Sequence, residues 1–238
     1  MKRIIIVGAS SGIGKEMALM YAQQGHLVGI TGRRKELLEQ IQQQFPQQIL
    51  IASFDVMNDE NRTHIQRLAE QLGGLDLLIY NSGFGDISEN LNYEIEIKTT
   101  RTNVNGFVSI VSFAFNYFVQ QGYGQIALTS SIAALRGNSW APAYSASKAF
   151  MSNYAEGLSI KAKKLKKDIT ITDLKPGFVK TKMAKGNGQF WVAEPVKAAQ
   201  QIVTAIENKK RIAYITKRWW FVAQIMRRLP YSIYSRIA

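Results

Sequence analysis

The chain has 238 residues and a mass of 26.8 kDa, with 46% hydrophobic and 20% charged residues, which fits one α/β domain with a sizeable core and excludes a disordered chain. It has no cysteine and only two histidines, His26 and His64, which excludes disulfides, thiolate metal sites and a cysteine nucleophile and argues against a histidine metal centre. The net charge of +13 is uneven: beyond Asp173 there are thirteen Lys or Arg against Glu194 and Glu207, a surplus of eleven positive charges in the last 65 residues.

The elements follow in chain order. Residues 4–7 read as a first strand; the apolar run is too short for the roughly 7–15-residue core of a signal peptide. No apolar run approaches the ~20 residues that cross a bilayer, so a cytoplasmic protein is expected. A helix is predicted over 12–24, stopped by Gly25, then strand two over 27–31 and a helix over 35–45 stopped by Pro46. Strand three covers 49–54, with a helix over 58–72, and strand four covers 75–80, with a long helix within 94–121. Strand five is 125–129, followed by a helix over 143–165, strand six over 169–174, a helix over 195–208 and a last strand over 211–215. Lys161, Lys163, Lys164, Lys166 and Lys167 cluster near the end of the 143–165 helix, where positive charge complements the dipole. Continuous Val/Ile/Leu runs indicate strands buried on both faces. Strands separated by helices at this rhythm indicate right-handed crossovers and one parallel sheet. The predicted fold is a single Rossmann-like doubly wound sheet of about seven strands over 1–216, with a basic amphipathic extension over 217–238.

Directly after strand one, Gly8-Ala9-Ser10-Ser11-Gly12-Ile13-Gly14 opens the first helix. Glycines let backbone approach a pyrophosphate, and free amides at a helix start bind its charge. The position between a strand and a helix is the context a dinucleotide-binding loop requires. At the end of strand two, where an NAD site offers a carboxylate to the ribose, stand Thr31-Gly32-Arg33-Arg34, with no acid until Glu36. A 2′-phosphate needs a cation, and guanidinium geometry suits it. Arg33 is the foremost candidate, with Arg34 as support or adenine-stacking surface, and NADP(H) is the expected coenzyme.

Tyr144-Ser145-Ala146-Ser147-Lys148 opens a helix, and a spacing of four puts Tyr144 and Lys148 on one face. A tyrosine of ordinary pKa near 10 is a poor proton donor or acceptor at neutral pH. A neighbouring ammonium and an oxidised nicotinamide both favour the phenolate, which would fit the phenol to exchange a proton with a carbonyl oxygen.

With the glycine loop, this pair resembles the short-chain dehydrogenase/reductase family over nearly the whole chain. The resemblance implies a catalytic serine at Ser131 in Thr129-Ser130-Ser131, with Ser130 the alternative. It implies that Asn103 in Asn103-Val104-Asn105-Gly106 supports Lys148 through a bound water, Asn105 being structural. Lys148 would also hold the nicotinamide ribose. Asp55 and Val56 would face the adenine. Asn81-Ser82-Gly83 would stabilise the sheet and pass the adenosine ribose. Pro176-Gly177-Phe178-Val179 and Thr181 would meet the nicotinamide carboxamide. Two departures are Val7 in place of the usual Thr and Tyr80 in place of the frequent Asn; neither touches Ser131, Tyr144, Lys148 or Asn103.

The substrate rim is expected in 132–143, with Leu135, Trp140 and Pro142, and in 182–194, with Phe190 and Trp191. Its apolar side chains point to a mainly hydrophobic carbonyl compound or alcohol. The extension, with Lys217-Arg218-Trp219-Trp220-Phe221 and Arg227-Arg228, fits either packing on the chain's own core or a partner subunit, or contact with a membrane surface. A homo-oligomer is expected through the 94–121 and 143–165 helices. A non-catalytic NADP-binding sensor would be expected to lose Tyr144, Lys148 or Ser131, and all are present. The basic charge attracts polyanions in general, but no nucleic-acid motif is found, so no specific nucleic-acid partner is expected.

Overall fold

The structure is a computed structural model that describes residues 1–181 and 190–236. Seven strands form one sheet: β1 (Arg3–Val7), β2 (Leu27–Gly32), β3 (Ile49–Ser53), β4 (Leu77–Tyr80), β5 (Tyr123–Thr129), β6 (Asp168–Pro176) and β7 (Ile212–Ile215). Their order is β3-β2-β1-β4-β5-β6-β7, every pair parallel. The order reverses between β1 and β4, and such a switch point opens a crevice at the carboxyl ends of the strands. The doubly wound sheet expected from the alternating pattern is therefore present.

Alternation along β1 shows how both faces are filled. Ile4 and Ile6 join one core cluster with Met17, Tyr21, Ile202 and Ile206. Ile5 and Val7 join a second with Leu68, Phe107, Val111, Phe118 and Met151. Successive strand side chains point to opposite faces, so an unbroken Ile-Ile-Ile-Val run serves two layers of helices. Helices α1 (Gly12–Gln23), α2 (Lys35–Gln42) and α7 (Pro195–Glu207) lie on the first face. Helices α3 (Asn61–Gln71), α5 (Gly106–Gln121) and α6 (Pro142–Lys164) lie on the second.

Two expectations are refined. The helix expected within 94–121 is a continuous helical run from Tyr93 to Gln121, in which α4 (Tyr93–Thr100) and α5 are joined by a π-helical turn over Arg101–Asn105, an i→i+5 insertion of the kind that gathers at functional sites. The helix expected from 58 starts at Asn61, whose side chain donates to the Val56 carbonyl at 2.8 Å. Beyond β7 the chain forms α8 (Trp219–Arg228) and a single turn, α9 (Tyr231–Tyr234). Trp219 and Ala223 are buried, Arg136 donates to the Met226 and Leu229 carbonyls at 3.0 and 2.9 Å, and Tyr234 donates to the Gly137 carbonyl at 2.7 Å. One face of the extension thus packs on the chain's own domain.

Candidate active site

The glycine loop is folded tightly against the end of β4. Gly8 has φ +86°, and a Cβ there would lie 2.7 Å from the backbone of Ser82. A Cβ on Gly14 would lie 2.2 Å from the Gly8 carbonyl oxygen. Asn81 fastens the arrangement, donating to the Gly8 carbonyl at 2.9 Å and accepting from the Thr129 hydroxyl at 3.2 Å. Side chains are excluded where backbone must pass closely, and Gly12, Ile13 and Gly14 begin α1 with their amides at its positive end. These features fit a dinucleotide pyrophosphate.

At the neighbouring rim, the Arg34 guanidinium donates to the hydroxyls of both Ser10 and Ser11 at 2.8 Å. Arg33 instead lies 3.6 Å from the Asp55 carboxylate. Both arginines are exposed, so either can reach an anion, but Arg34 is the one already gathered with the phosphate loop. Asp55 also accepts from the Met57 amide at 3.0 Å, which fixes the turn containing Val56. Thr181 hangs over the loop from the other side: a Cβ on Gly12 would lie 3.2 Å from its methyl group. Pro176 ends β6, the Gly177 amide donates to the Ile215 carbonyl at 2.6 Å, and Val179 bridges to Ala193.

The proposed proton-transfer residues come together at the end of β5 and the start of α6. Pro142 occupies the first turn of α6, where its missing N–H is harmless. The Glu96 carboxylate accepts from the Ala143 amide at 3.1 Å, adding negative charge at the positive end of the helix. Tyr144 and Lys148 follow on one face, the Lys148 ammonium lying 5.7 Å from the centre of the Tyr144 ring. The Lys148 ammonium donates to the Thr129 carbonyl at 2.9 Å and approaches the Met151 sulfur at 3.6 Å. Burial holds its pKa down at about 8, with the Asp173 carboxylate pulling it upward.

The expected lowering of the Tyr144 pKa is not found in the chain by itself. Burial pushes the phenol up, and a hydrogen bond with the Ser131 side chain draws it partly back. The physical reason is that Lys148 spends its bond on Thr129, leaving desolvation as the larger influence on the ring.

The two serines of the Ser130–Ser131 pair separate cleanly. Ser130 donates to the Asp173 carboxylate and to the Leu174 carbonyl at 3.0 Å. Ser131 begins a 3₁₀ turn (Ile132–Leu135), accepting from the Ala133 amide at 3.1 Å, and is the serine that meets Tyr144. Asn103 is fully buried in the π-helical turn. Its amide donates to the Phe84 carbonyl at 2.7 Å and the Ser147 hydroxyl at 2.9 Å, while its oxygen accepts from the Phe84 amide at 2.8 Å. The side chain is consumed in holding the loop after Gly83 against α6.

The sequence assigns no role to Gly85 or Ser147 and places Trp219 only in the extension. Gly85 lies against the Tyr144 ring, and a Cβ there would sit 2.4 Å from Cδ2. Ser147 anchors Asn103. Trp219 covers Gly177, whose Cβ would fall 2.0 Å from the indole, and packs on Phe178 and Phe190 with ring centres 5.5 and 5.0 Å away. The expected rim segment 182–194 is described only from Phe190 onward; residues 182–189 lie outside the described residues. A hollow of about 500 Å³ at the β7 edge, lined by Gln201, Ile212, Tyr214 and Trp220 among others, includes none of Ser131, Tyr144 and Lys148, so the site is marked by its polar geometry.

Comparison with known proteins agrees. A family profile described as short chain dehydrogenase matches residues 2–190. An uncharacterized oxidoreductase of Mycobacterium tuberculosis is 30% identical over 95% of this chain and 92% of its own. The 11-beta-hydroxysteroid dehydrogenase 1A of Arabidopsis thaliana is also 30% identical, over 92% of this chain and 69% of its own. A solved short chain dehydrogenase from Bacillus anthracis superposes with a TM-score of 0.80 at 25% identity, covering 90% of this chain and 94% of the other. The chain belongs to the short-chain dehydrogenase family and is an oxidoreductase of that family.

Proposed function

We propose that the chain is an NADP(H)-dependent enzyme that moves a hydride between the nicotinamide and a carbonyl or secondary alcohol of a mainly hydrophobic substrate. The observation that carries the reading is the convergence of Ser131, Tyr144 and Lys148 beside a loop closed to side chains at Gly8 and Gly14. The nicotinamide, when bound, supplies or accepts the hydride. Ser131 orients the substrate oxygen by a hydrogen bond. Tyr144 gives that oxygen a proton in reduction and takes it back in oxidation. Lys148 stands one turn away, its ammonium 5.7 Å from the ring centre, and would reach the ribose; the oxidised nicotinamide would add the positive charge that offsets the burial of the phenol. Asn103, its side chain engaged with Phe84 and Ser147, would support Lys148 through a bound water.

The preference for NADP(H) is supported by Arg33 and Arg34 at the end of β2 and by the clasp of Arg34 on Ser10 and Ser11. Asp55 and Val56 would flank the adenine, Asn81, Ser82 and Gly83 the ribose, and Pro176, Gly177, Val179 and Thr181 the carboxamide. Oxidation of NADPH and NADH, followed by absorbance against aldehydes, ketones, quinones and long-chain 3-oxo lipids, tests the reading. Faster NADPH oxidation with a hydrophobic class supports it. Tight NADPH binding with no oxidation in any class would make the chain a non-catalytic binder.

The same reading includes a homo-oligomer built on α4, α5 and α6, where Phe150 and Ile160 of α6 are exposed; light scattering on the purified protein gives its mass. It also includes peripheral membrane contact through 217–238. Along α8, Trp219 and Ala223 face inward, while Trp220, Phe221 and Ile225 are exposed among Arg227 and Arg228. A mixed apolar and cationic outer face suits an anionic lipid surface. In a two-fold dimer the same patch would meet itself and set like charges together. Sedimentation with phosphatidylglycerol vesicles should carry the protein down and phosphatidylcholine vesicles should not. Equal sedimentation of wild type and Phe221→Glu/Ile225→Glu would rule the contact out.

A further inference from the structure

Strand β6 buries two opposite charges immediately behind the catalytic residues. Asp173 and Lys175 are only 4% and 3% exposed, with Lys175 Nζ 2.7 Å from the Asp173 carboxylate. Charged side chains are almost never so deeply buried unless paired. Two apart on a strand, they project from the same face. Lys175 also donates to Ser152 of α6, and the second carboxylate oxygen of Asp173 accepts from Ser130. Ser130 directly follows Thr129, the acceptor of the Lys148 ammonium, and Ser152 lies four residues after Lys148 on the same helical face. In the sheet register, Leu128 lies beside Asp173 and Thr129 beside Leu174. Two buried ammonium groups therefore share the neighbourhood of one carboxylate, and the two direct contacts of Lys148, with the Thr129 carbonyl and the Met151 sulfur, carry no charge.

We propose that Asp173, gripped by Lys175 and Ser130, is a positioning residue that keeps Lys148 protonated and sets the β5 end that carries Ser131. The groups near Lys148 are Tyr144 and Met151 on its own helix, the Thr129 carbonyl at the end of β5, and Asp173 on β6, whose ion-pair partner is Lys175. Of these, Asp173 supplies the attraction, and Lys175 neutralises part of that carboxylate's charge by pairing with it. Burial lowers the Lys148 pKa, and the carboxylate opposes this. Its consequence for turnover rests on the oxidoreductase reading given above, whereas its test does not require turnover.

The test is a pH titration of Lys148 by carbon NMR of lysine-labelled protein, assigned with Lys148→Met. Asp173→Asn should move the Lys148 midpoint down by about one pH unit, the scale of one charge acting across a partly screened interior. Lys175→Met should move it up. The double variant Asp173→Asn/Lys175→Met, which leaves no unpaired buried charge, should fall between them. Should Asp173→Asn fail to fold, the order of Lys175→Met above the double variant carries the test. Midpoints that stay together, or that move in the same direction in both single variants, overturn the proposal. Shifts as expected with a chain that turns over no carbonyl substrate would retain the electrostatic relationship and remove only the catalytic reading.

Discussion

Gly85 and Tyr144 are packed backbone against ring, so closely that a methyl group on Gly85 would sit 2.4 Å from Cδ2 of the phenol. The loop bearing Gly85 is itself held by the reciprocal bonds between Phe84 and Asn103. The ring cannot move toward this loop, and the loop cannot retreat from Asn103. Gly85→Ala is expected to displace the phenol and lower kcat by about a hundredfold, the effect of a misplacement of roughly 1 Å. NADPH affinity should be retained, because the glycine loop is untouched. Wild-type kcat in this variant would contradict the packing described.

The contact of Arg34 with Ser10 and Ser11 gives the coenzyme prediction its sharpest form. A charge-assisted hydrogen bond contributes about 1.5–3 kcal/mol, so Arg34→Ala should raise the KM for NADPH by about ten- to a hundredfold. The KM for NADH should move by no more than about twofold. Arg33→Ala should follow the same pattern to a smaller degree, since its guanidinium must leave Asp55 to reach a phosphate. Equal losses for both coenzymes would remove these arginines from the phosphate site.

Lys148 makes a prediction about pH. Its pKa in the folded chain, about 8, lies below the ordinary 10.5 because burial disfavours the ammonium. Between these values the unfolded chain binds more protons than the folded one, so stability rises with pH across that window. Below pH 8 both states are protonated and the folded state carries the whole cost of the buried cation. Lys148→Met lacks that cost. The variant should therefore be the more stable by about 3 kcal/mol below pH 8, and the difference should shrink as pH approaches 10.5 in urea melts. A difference independent of pH would mean that Lys148 is not desolvated as described.

Much of the fold was legible because its signals are local. Ile4-Ile5-Ile6-Val7 reads as a strand buried on both faces without any knowledge of neighbours, and the glycines of 8–14 announce a loop whose backbone must pass closely. The Tyr144–Lys148 spacing likewise needs only helical geometry. What escaped depends on partners distant in sequence. Asp173 and Lys175 look like ordinary polar residues on a strand until Ser130 and Ser152 are brought to them by β5 and α6. Ser131, expected over Ser130 from the resemblance alone, gains its physical reason only from the direction of two successive side chains at a strand end. The π-helical turn at Arg101–Asn105 inserts one residue per turn into an otherwise continuous helical pattern, which no apolar periodicity marks. The extension was readable as amphipathic, but only the burial of Trp219 over Gly177 shows which face the domain takes.

The buried network around Asn103 should be visible in stability as well as in rate. Asn103→Ala removes the partner of the Phe84 amide, the Phe84 carbonyl and the Ser147 hydroxyl at once. Leaving buried polar groups unsatisfied costs about 1–3 kcal/mol each, so a loss of about 2–4 kcal/mol in denaturant melts is expected, short of the full sum because the loop can relax toward water. Asn103→Asp should recover the Phe84 amide bond and part of the stability. An unchanged melt would mean that the loop after Gly83 is not held from α6.

The most direct test of the account compares Tyr144→Phe with wild type in single-turnover hydride transfer and in NADPH binding by fluorescence. Removal of one hydroxyl leaves the ring packed against Gly85 and the glycine loop intact, so binding should stay within about twofold while the rate falls by at least about a hundredfold, the contribution of general acid–base catalysis. Hydride transfer at the wild-type rate by the phenylalanine variant would contradict the account.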